Sequence, residues 1–240
     1  MQARFHVFRS FEDPSLTWAA SSRFELDQKS APSFRGDALG ERIVRALAER
    51  HAIKVKEVLE SFETFDRVRR TLRGPRVADL CCGHGLTGLL FAAYEREVED
   101  VVLLDKVRPS RAERVLAAVI DAAPWVEGKV RWVEDRVTNA TEHLARGTSV
   151  IAVHACGART DRALDAALEL GSPVAVLPCC YARTAQSAPP ALREALGVEQ
   201  AADIDRTYRL ERAGWSVRWS SIPAAITPMN RLLVAVPRAS

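Results

Sequence analysis

The residues best suited to chemistry are concentrated in the run Val77-Ala78-Asp79-Leu80-Cys81-Cys82-Gly83-His84-Gly85 and in Val102-Leu103-Leu104-Asp105 beyond it. An apolar run that stops at closely spaced glycines lets the backbone pass near a ligand where a β-carbon would clash. A carboxylate closing the next strand can accept both hydroxyls of a ribose. The pattern therefore reads as strand, tight turn and second strand around a nucleotide-type cofactor. Further reactive groups follow two later apolar runs: His154 and Cys156 after one, Cys179, Cys180 and Tyr181 after the other. With Cys81 and Cys82, all five cysteines would then line one edge of a sheet. Three readings of them are open: small residues lining a pocket, a reactive thiol, and a soft-metal site. Metal sites tend to present C-x-x-C or H-x-x-x-H within one element, and adjacent residues of a strand face opposite ways. Pocket lining is accordingly the working reading, and no metal is expected.

The elements that must position these groups are visible as periodicity. Residues 1–36 mix aromatics (Phe5, Phe8, Phe11, Trp18, Phe24) with prolines, serines and near-balanced charge, which favours packing on the core over a nucleic-acid arm. Leu39, Ile43 and Leu47, then Val55, Val58, Leu59, Phe62, Phe65, Val68 and Leu72, have the spacing of two amphipathic helices that must cover something. The run Arg67, Arg69, Arg70, Arg73, Arg76 reads as a solvated face. From Arg76 strands are expected near 77–81, 100–104, 129–134, 149–154 and 173–178, with helices near 85–96, 109–122, 160–170 and 189–197. The last runs, Trp215 to Trp219 and Arg231 to Val236, leave no room for a crossover helix and should pair antiparallel. This divides the chain into 1–73, an irregular lead and covering helices, and 74–240, an α/β domain.

Composition limits the classes. The chain has 240 residues, 48% of them hydrophobic, enough for one large core. A net charge of +3 neither announces nor excludes a nucleic-acid partner. Adjacent cysteine pairs make a poor disulfide framework and fit a reducing compartment. Residues 1–10 lack the continuous apolar core of a signal peptide, and no window approaches the roughly eighteen apolar residues of a membrane span. A cytoplasmic protein with no membrane partner is expected.

Gly83-His84-Gly85-Leu86-Thr87-Gly88 matches G-x-G-x-x-G, and Asp105 stands where a nicotinamide enzyme keeps its ribose acid. A diphosphate over that turn would be repelled by Asp79, whereas S-adenosylmethionine has no phosphate and carries a cationic amino group and a sulfonium. The order of acid, small residues and glycines resembles the first motif of the Rossmann-like S-adenosylmethionine methyltransferases, with Cys81 where most have glycine. His154-Ala155-Cys156-Gly157-Ala158-Arg159-Thr160-Asp161, Leu177-Pro178-Cys179-Cys180-Tyr181 and Ile226-Thr227-Pro228-Met229-Asn230-Arg231 sharpen the likeness. Together the segments resemble a subfamily marked by D-x-C-x-G-x-G, H-x-C-G-x-x-T-D and paired cysteines, which includes a eukaryotic tRNA ribose 2′-O-methyltransferase. That enzyme is longer, has zinc-binding modules absent here, and has histidine where this chain has Tyr181.

The resemblance, spanning about residues 40 to 238, implies a mostly parallel seven-stranded sheet of order 3-2-1-4-5-7-6, S-adenosylmethionine as cofactor, and a polar acceptor such as RNA. In such an arrangement Asp79 and the backbone of Cys81, Gly83 and Gly85 would serve the methionine half. Asp105 with Lys106 would serve the ribose, and Asp135, with Glu134 as competitor, the adenine amino group. His154 is the first choice for base or acceptor-positioner and, with Cys156, would also touch the cofactor, while the further catalytic candidates Cys179, Cys180 and Tyr181 form the opposite wall. Asp161 would cap the following helix with Thr160 or orient His154, and Asn230 would tie the last strand to the wall. Covalent chemistry through Cys179 at a pyrimidine carbon is a lesser variant. The alternatives are a protein or small-molecule methyltransferase, a non-catalytic binding module, and a nicotinamide oxidoreductase, which Asp79 and the closing hairpin disfavour.

Overall fold

The computed structural model describes residues 3–27, 29, 34, 36–153, 155–181 and 188–238. A short helix α1 (Pro14–Thr17) precedes α2 (Leu39–Glu49) and α3 (Val55–Leu72). Then follow β1 (Arg76–Leu80), α4 (Leu86–Tyr94), β2 (Asp100–Asp105), α5 (Ala112–Ala122), β3 (Val130–Glu134) and β4 (Ser149–Val153). The chain closes with α6 (Ala158–Leu170), β5 (Val174–Leu177), α7 (Pro190–Leu196), α8 (Val198–Arg212), β6 (Trp215–Ser221) and β7 (Arg231–Pro237). The seven strands form one sheet of order β3-β2-β1-β4-β5-β7-β6. β1 to β5 are parallel and β7 runs antiparallel to both β5 and β6, as the sequence predicts.

Strand periodicity divides the interior in two. Val77, Val101, Leu103, Ile151, Ala175 and Val234 pack into one apolar cluster with α2 to α5. The alternate residues Ala78, Leu80, Val102, Leu104, Val150, Ala152 and Val176 pack into a second cluster with α6 and Leu210 of α8. Both faces of the central strands are therefore dry, which is why those strands read as unbroken apolar runs. α3 buries its Val58, Leu59, Phe62, Phe65 and Leu72 stripe and touches α4, β4, β5 and β7. Gly74 and Pro75 follow directly after its last turn, and the proline cannot continue the helix. Phe5, Phe8, Phe11 and Phe34 join the first cluster, with Phe8 edge-on to Phe34 at 4.9 Å and to Phe62 at 5.0 Å. The lead segment thus packs on the core, although Trp18 and Phe24 stay exposed.

Two expectations are corrected. The arginine run is not a uniform solvated face: the Arg67 side chain is only 5% exposed, pairs with the fully buried Glu63, and donates to Ser221 O and Arg4 O. Arg69 pairs with Glu95 and lies over the Phe65 and Tyr94 rings. The second correction is α8, absent from the predicted elements. Its inner face carries Ala201, Ala202, Asp203, Arg206 and Leu210, so polar groups occupy positions where apolar periodicity would reveal a helix. No described helix is long and apolar enough to cross a membrane.

Candidate active site

The sheet order reverses between β1 and β4, and a crevice beyond the carboxyl ends of strands at such a point is where open α/β sheets take ligands. Beyond β1 the chain turns through three left-handed residues, Cys81 (φ +57°), Gly83 (φ +55°) and Gly85 (φ +79°). Cys81 therefore holds a conformation that costs a β-carbon-bearing residue about 1–2 kcal/mol. A β-carbon on Gly85 would lie 2.7 Å from Leu103 Cδ1, and one on Gly88 2.5 Å from Leu103 Cδ2. Only bare backbone lets α4 start this close to β2. Nothing stands within 4 Å of the position a β-carbon on Gly83 would take, so the turn leaves open space there.

Two carboxylates fix the turn. Asp105 ends β2, its Oδ2 accepting from Gly83 N at 2.9 Å and its Oδ1 from Lys106 N at 2.7 Å. Asp79, 1% exposed, accepts from Gly88 N at 2.9 Å and so satisfies a free donor in the first turn of α4. A small pocket of about 100 Å³ in front of it is lined by Asp79, the Cys81–Thr87 turn, and Glu57 and Ser61 of α3. Glu57 meets His84 Nδ1 at 2.8 Å. Nothing in the sequence connects these two, because the contact bridges separate elements. Burial, reinforced by Asp105, pushes the Cys81 thiol up to about 12, and burial with Asp79 pushes Cys82 higher still. Both remain neutral at physiological pH.

A larger cavity of about 460 Å³ opens beside the turn, lined by Cys81, Leu104, Asp105 and Lys106, by Arg136 to Thr138, and by Ala158, Arg159 and Arg162 of α6. Asp135 and Glu134 are not among its walls. Asp135 instead accepts from Arg136 N at 2.6 Å and Asn139 Nδ2 at 2.9 Å, and meets His143 Nε2 at 2.7 Å. These partners, His143 foremost, hold its carboxyl below the ordinary value. Glu134 accepts from Arg108 N. The geometry brings Asp105 and Lys106 to the cavity and leaves Asp135 folded into its own turn.

At the ends of β4 and β5, Gly157 N donates to Cys180 O at 3.1 Å, and the thiols of Cys156 and Cys179 are 3.0 Å apart. Because β5 ends at Leu177, Cys179 and Cys180 follow loop rather than strand geometry and do not face opposite ways; their sulfurs are 3.8 Å apart. Burial, then each other's proximity, pushes the Cys179 thiol well above its ordinary range. Tyr181 donates to Asp203 Oδ2 at 2.7 Å, and its hydroxyl is likewise pushed up by burial and by that carboxylate. Asp203, fully buried, also accepts from Arg206 Nη1 at 3.1 Å and Arg231 Nε at 2.9 Å.

Three expectations about this edge fare differently. Asp161 does not cap α6: it takes both Nε and Nη2 of Arg206, at 3.0 and 2.9 Å, while the cap residue Gly157 offers no side chain and Thr160 donates to Ala155 O. Asn230 donates to Ile222 O at 2.7 Å, closing the β6–β7 hairpin rather than reaching the cysteine wall. His154 lies outside the described residues. The sequence gives no sign of the roles of Asp203 and Arg206, and marks Arg231 only as the end of a motif, since their shared contacts with Tyr181 and Asp161 join separate elements.

A mostly parallel sheet with an antiparallel closing hairpin, a glycine turn after β1 and an acid ending β2 defines the Rossmann-like class that handles S-adenosylmethionine. Within that class, residues 53–187, more than half the chain, match a family model described as a methyltransferase domain, and the chain belongs to that family. A crystal structure of a Corynebacterium glutamicum protein superposes with a TM-score of 0.54 at 17% identity, over 86% of this chain and 92% of that one. The methyltransferase domain of bacterial CtHen1 gives 0.49 at 14% identity, over 74% and 99%. At such identities the likeness concerns the fold alone. A search of curated protein sequences finds no match.

Proposed function

We propose that the chain binds S-adenosylmethionine across the β1–β2 edge and transfers its methyl group to an oxygen or nitrogen of RNA. The observation that carries the cofactor half is Asp105, tied to the glycine turn at 2.9 Å and standing at the mouth of the 460 Å³ cavity. The residues fit the ligand. Asp105 keeps lone pairs for a ribose diol, Gly83 leaves room for a close approach, and buried Asp79 favours a cationic amino group over a diphosphate. When bound, the cofactor supplies an electrophilic methyl on a sulfonium. The protein's part is to hold that methyl in line with the acceptor and exclude water. Tyr181, neutral and committed to Asp203, shapes the acceptor side without serving as a base. In this reading the site belongs to residues 74–240, and residues 1–73 cover it while contributing Glu57.

The acceptor half rests on charge. Lys106, Arg136, Arg159 and Arg162 are all exposed around the cavity, a rim that suits a phosphate backbone. Incubating the protein with cofactor carrying a radiolabelled methyl and separate pools of tRNA, rRNA and protein tests it. Label is expected in an RNA pool, falling as salt rises and lost when Arg136 and Arg159 are both changed to Ala. Label in protein alone, or in no pool, overturns the assignment.

A further inference from the structure

Cys156, Cys179 and Cys180 bring three sulfurs within 4.8 Å of one another from two different loops, and none of them lines either pocket at the glycine turn. We propose that these thiols form a binding site for one zinc ion, with the fourth coordination position left to water or a substrate atom. Zinc–sulfur bonds of about 2.3 Å in tetrahedral geometry place thiolates about 3.8 Å apart. The observed separations of 3.0 Å for Cys156–Cys179 and 3.8 Å for Cys179–Cys180 lie within an ångström of that. A disulfide would use two of the sulfurs and leave the third beside it, whereas a thiophilic cation uses all three. Cys180 is exposed and the other two are half-buried, so the ion can enter from solvent. The backbone supports the arrangement: Gly157 N holds Cys180 O at 3.1 Å, locking the Cys156 loop to the paired-cysteine loop. Binding exchanges three thiol protons for the dication, giving a site of net charge −1. Arg159, whose Nε donates to Cys156 O at 3.3 Å, stands next to that charge. The site does not depend on the methyl-transfer reading, because its sulfurs come from β4 and β5 rather than from the glycine turn.

The test is cobalt(II) titration of the full chain, reduced and stripped of metal by a chelator, with thiolate-to-cobalt charge-transfer absorption as the readout. One equivalent is expected to bind with tetrahedral ligand-field bands, and zinc is expected to displace it. Cys156→Ser, Cys179→Ser and Cys180→Ser should each weaken cobalt binding at least about 10-fold, while Cys82→Ser leaves it unchanged. Circular dichroism shows whether each variant is folded, and the wild-type titration stands whatever the variants do. Absence of the thiolate band in folded, reduced wild type overturns the proposal. So does cobalt binding that survives the triple substitution, or a count of three rather than five free thiols after purification without reductant.

Discussion

The two halves of the sheet's ligand-facing edge are built by opposite means. At β1 and β2 the work is done by backbone: left-handed residues at 81, 83 and 85, glycines pressed on Leu103, and one acid per strand holding a main-chain N–H. At β4 and β5 it is done by long side chains, with Tyr181 held by Asp203, and Asp203 by Arg206 and Arg231, and Arg206 in turn by Asp161. The first edge presents a fixed surface of peptide groups, suited to a ligand that never changes. The second is a charged network tying one loop to α6, α8 and β7, so its shape depends on several long side chains at once.

Substitutions that attack one edge and spare the other sharpen the contrast. The largest effect is expected from Arg206→Ala, which takes one partner from the buried Asp203 and both contacts from Asp161; the loss in chemical denaturation should reach at most about 3–5 kcal/mol, since Arg231 and Tyr181 still hold Asp203. Cofactor affinity measured below the transition should stay near wild type. Gly88→Ala forces a β-carbon to within 2.5 Å of Leu103 and 3.0 Å of Asp79 Cβ, and should cost about 1–3 kcal/mol and weaken the cofactor site with it. Tyr181→Phe removes one charge-assisted hydrogen bond from Asp203, and a loss of about 1.5–3 kcal/mol in denaturant unfolding is the upper bound, since Arg206 and Arg231 remain. Cys81→Gly should be nearly silent. Relief of about 1–2 kcal/mol of left-handed strain is offset by about 0.5–1 kcal/mol of extra unfolded-state freedom, so a melting shift of no more than a few degrees is expected.

The same contrast explains what the sequence reveals. The strands, the closing hairpin and the Asp79–Gly85 and Asp105 elements are legible because their signals are contiguous: dry strands show as apolar runs, and a tight turn needs its small residues side by side; the sheet order follows only from the family resemblance. α8 is not legible because its buried face is Asp203 and Arg206, and a helix that buries an ion pair loses the periodicity that announces a helix. The roles of Asp161 and Asn230 go astray for a related reason. Local capping and wall contacts are what short-range reading offers, and their partners, Arg206 and Ile222 O, come from elsewhere. Asp135 is a case on the cofactor side: its position after a strand is legible, whereas its contacts to Arg136 N, Asn139 and His143 are not.

The measurement that tests the central claim most directly is calorimetric titration of the folded wild type and of Asp105→Ala with S-adenosylmethionine, S-adenosylhomocysteine and NADH. Loss of two hydrogen bonds to a charged carboxylate, at about 1.5–3 kcal/mol each, predicts adenosyl-ligand affinity weaker by at least about 100-fold in the variant, with no NADH binding in either protein. Equal affinity in the two proteins, or binding of NADH in place of the adenosyl ligands, would contradict the assignment of the β1–β2 edge.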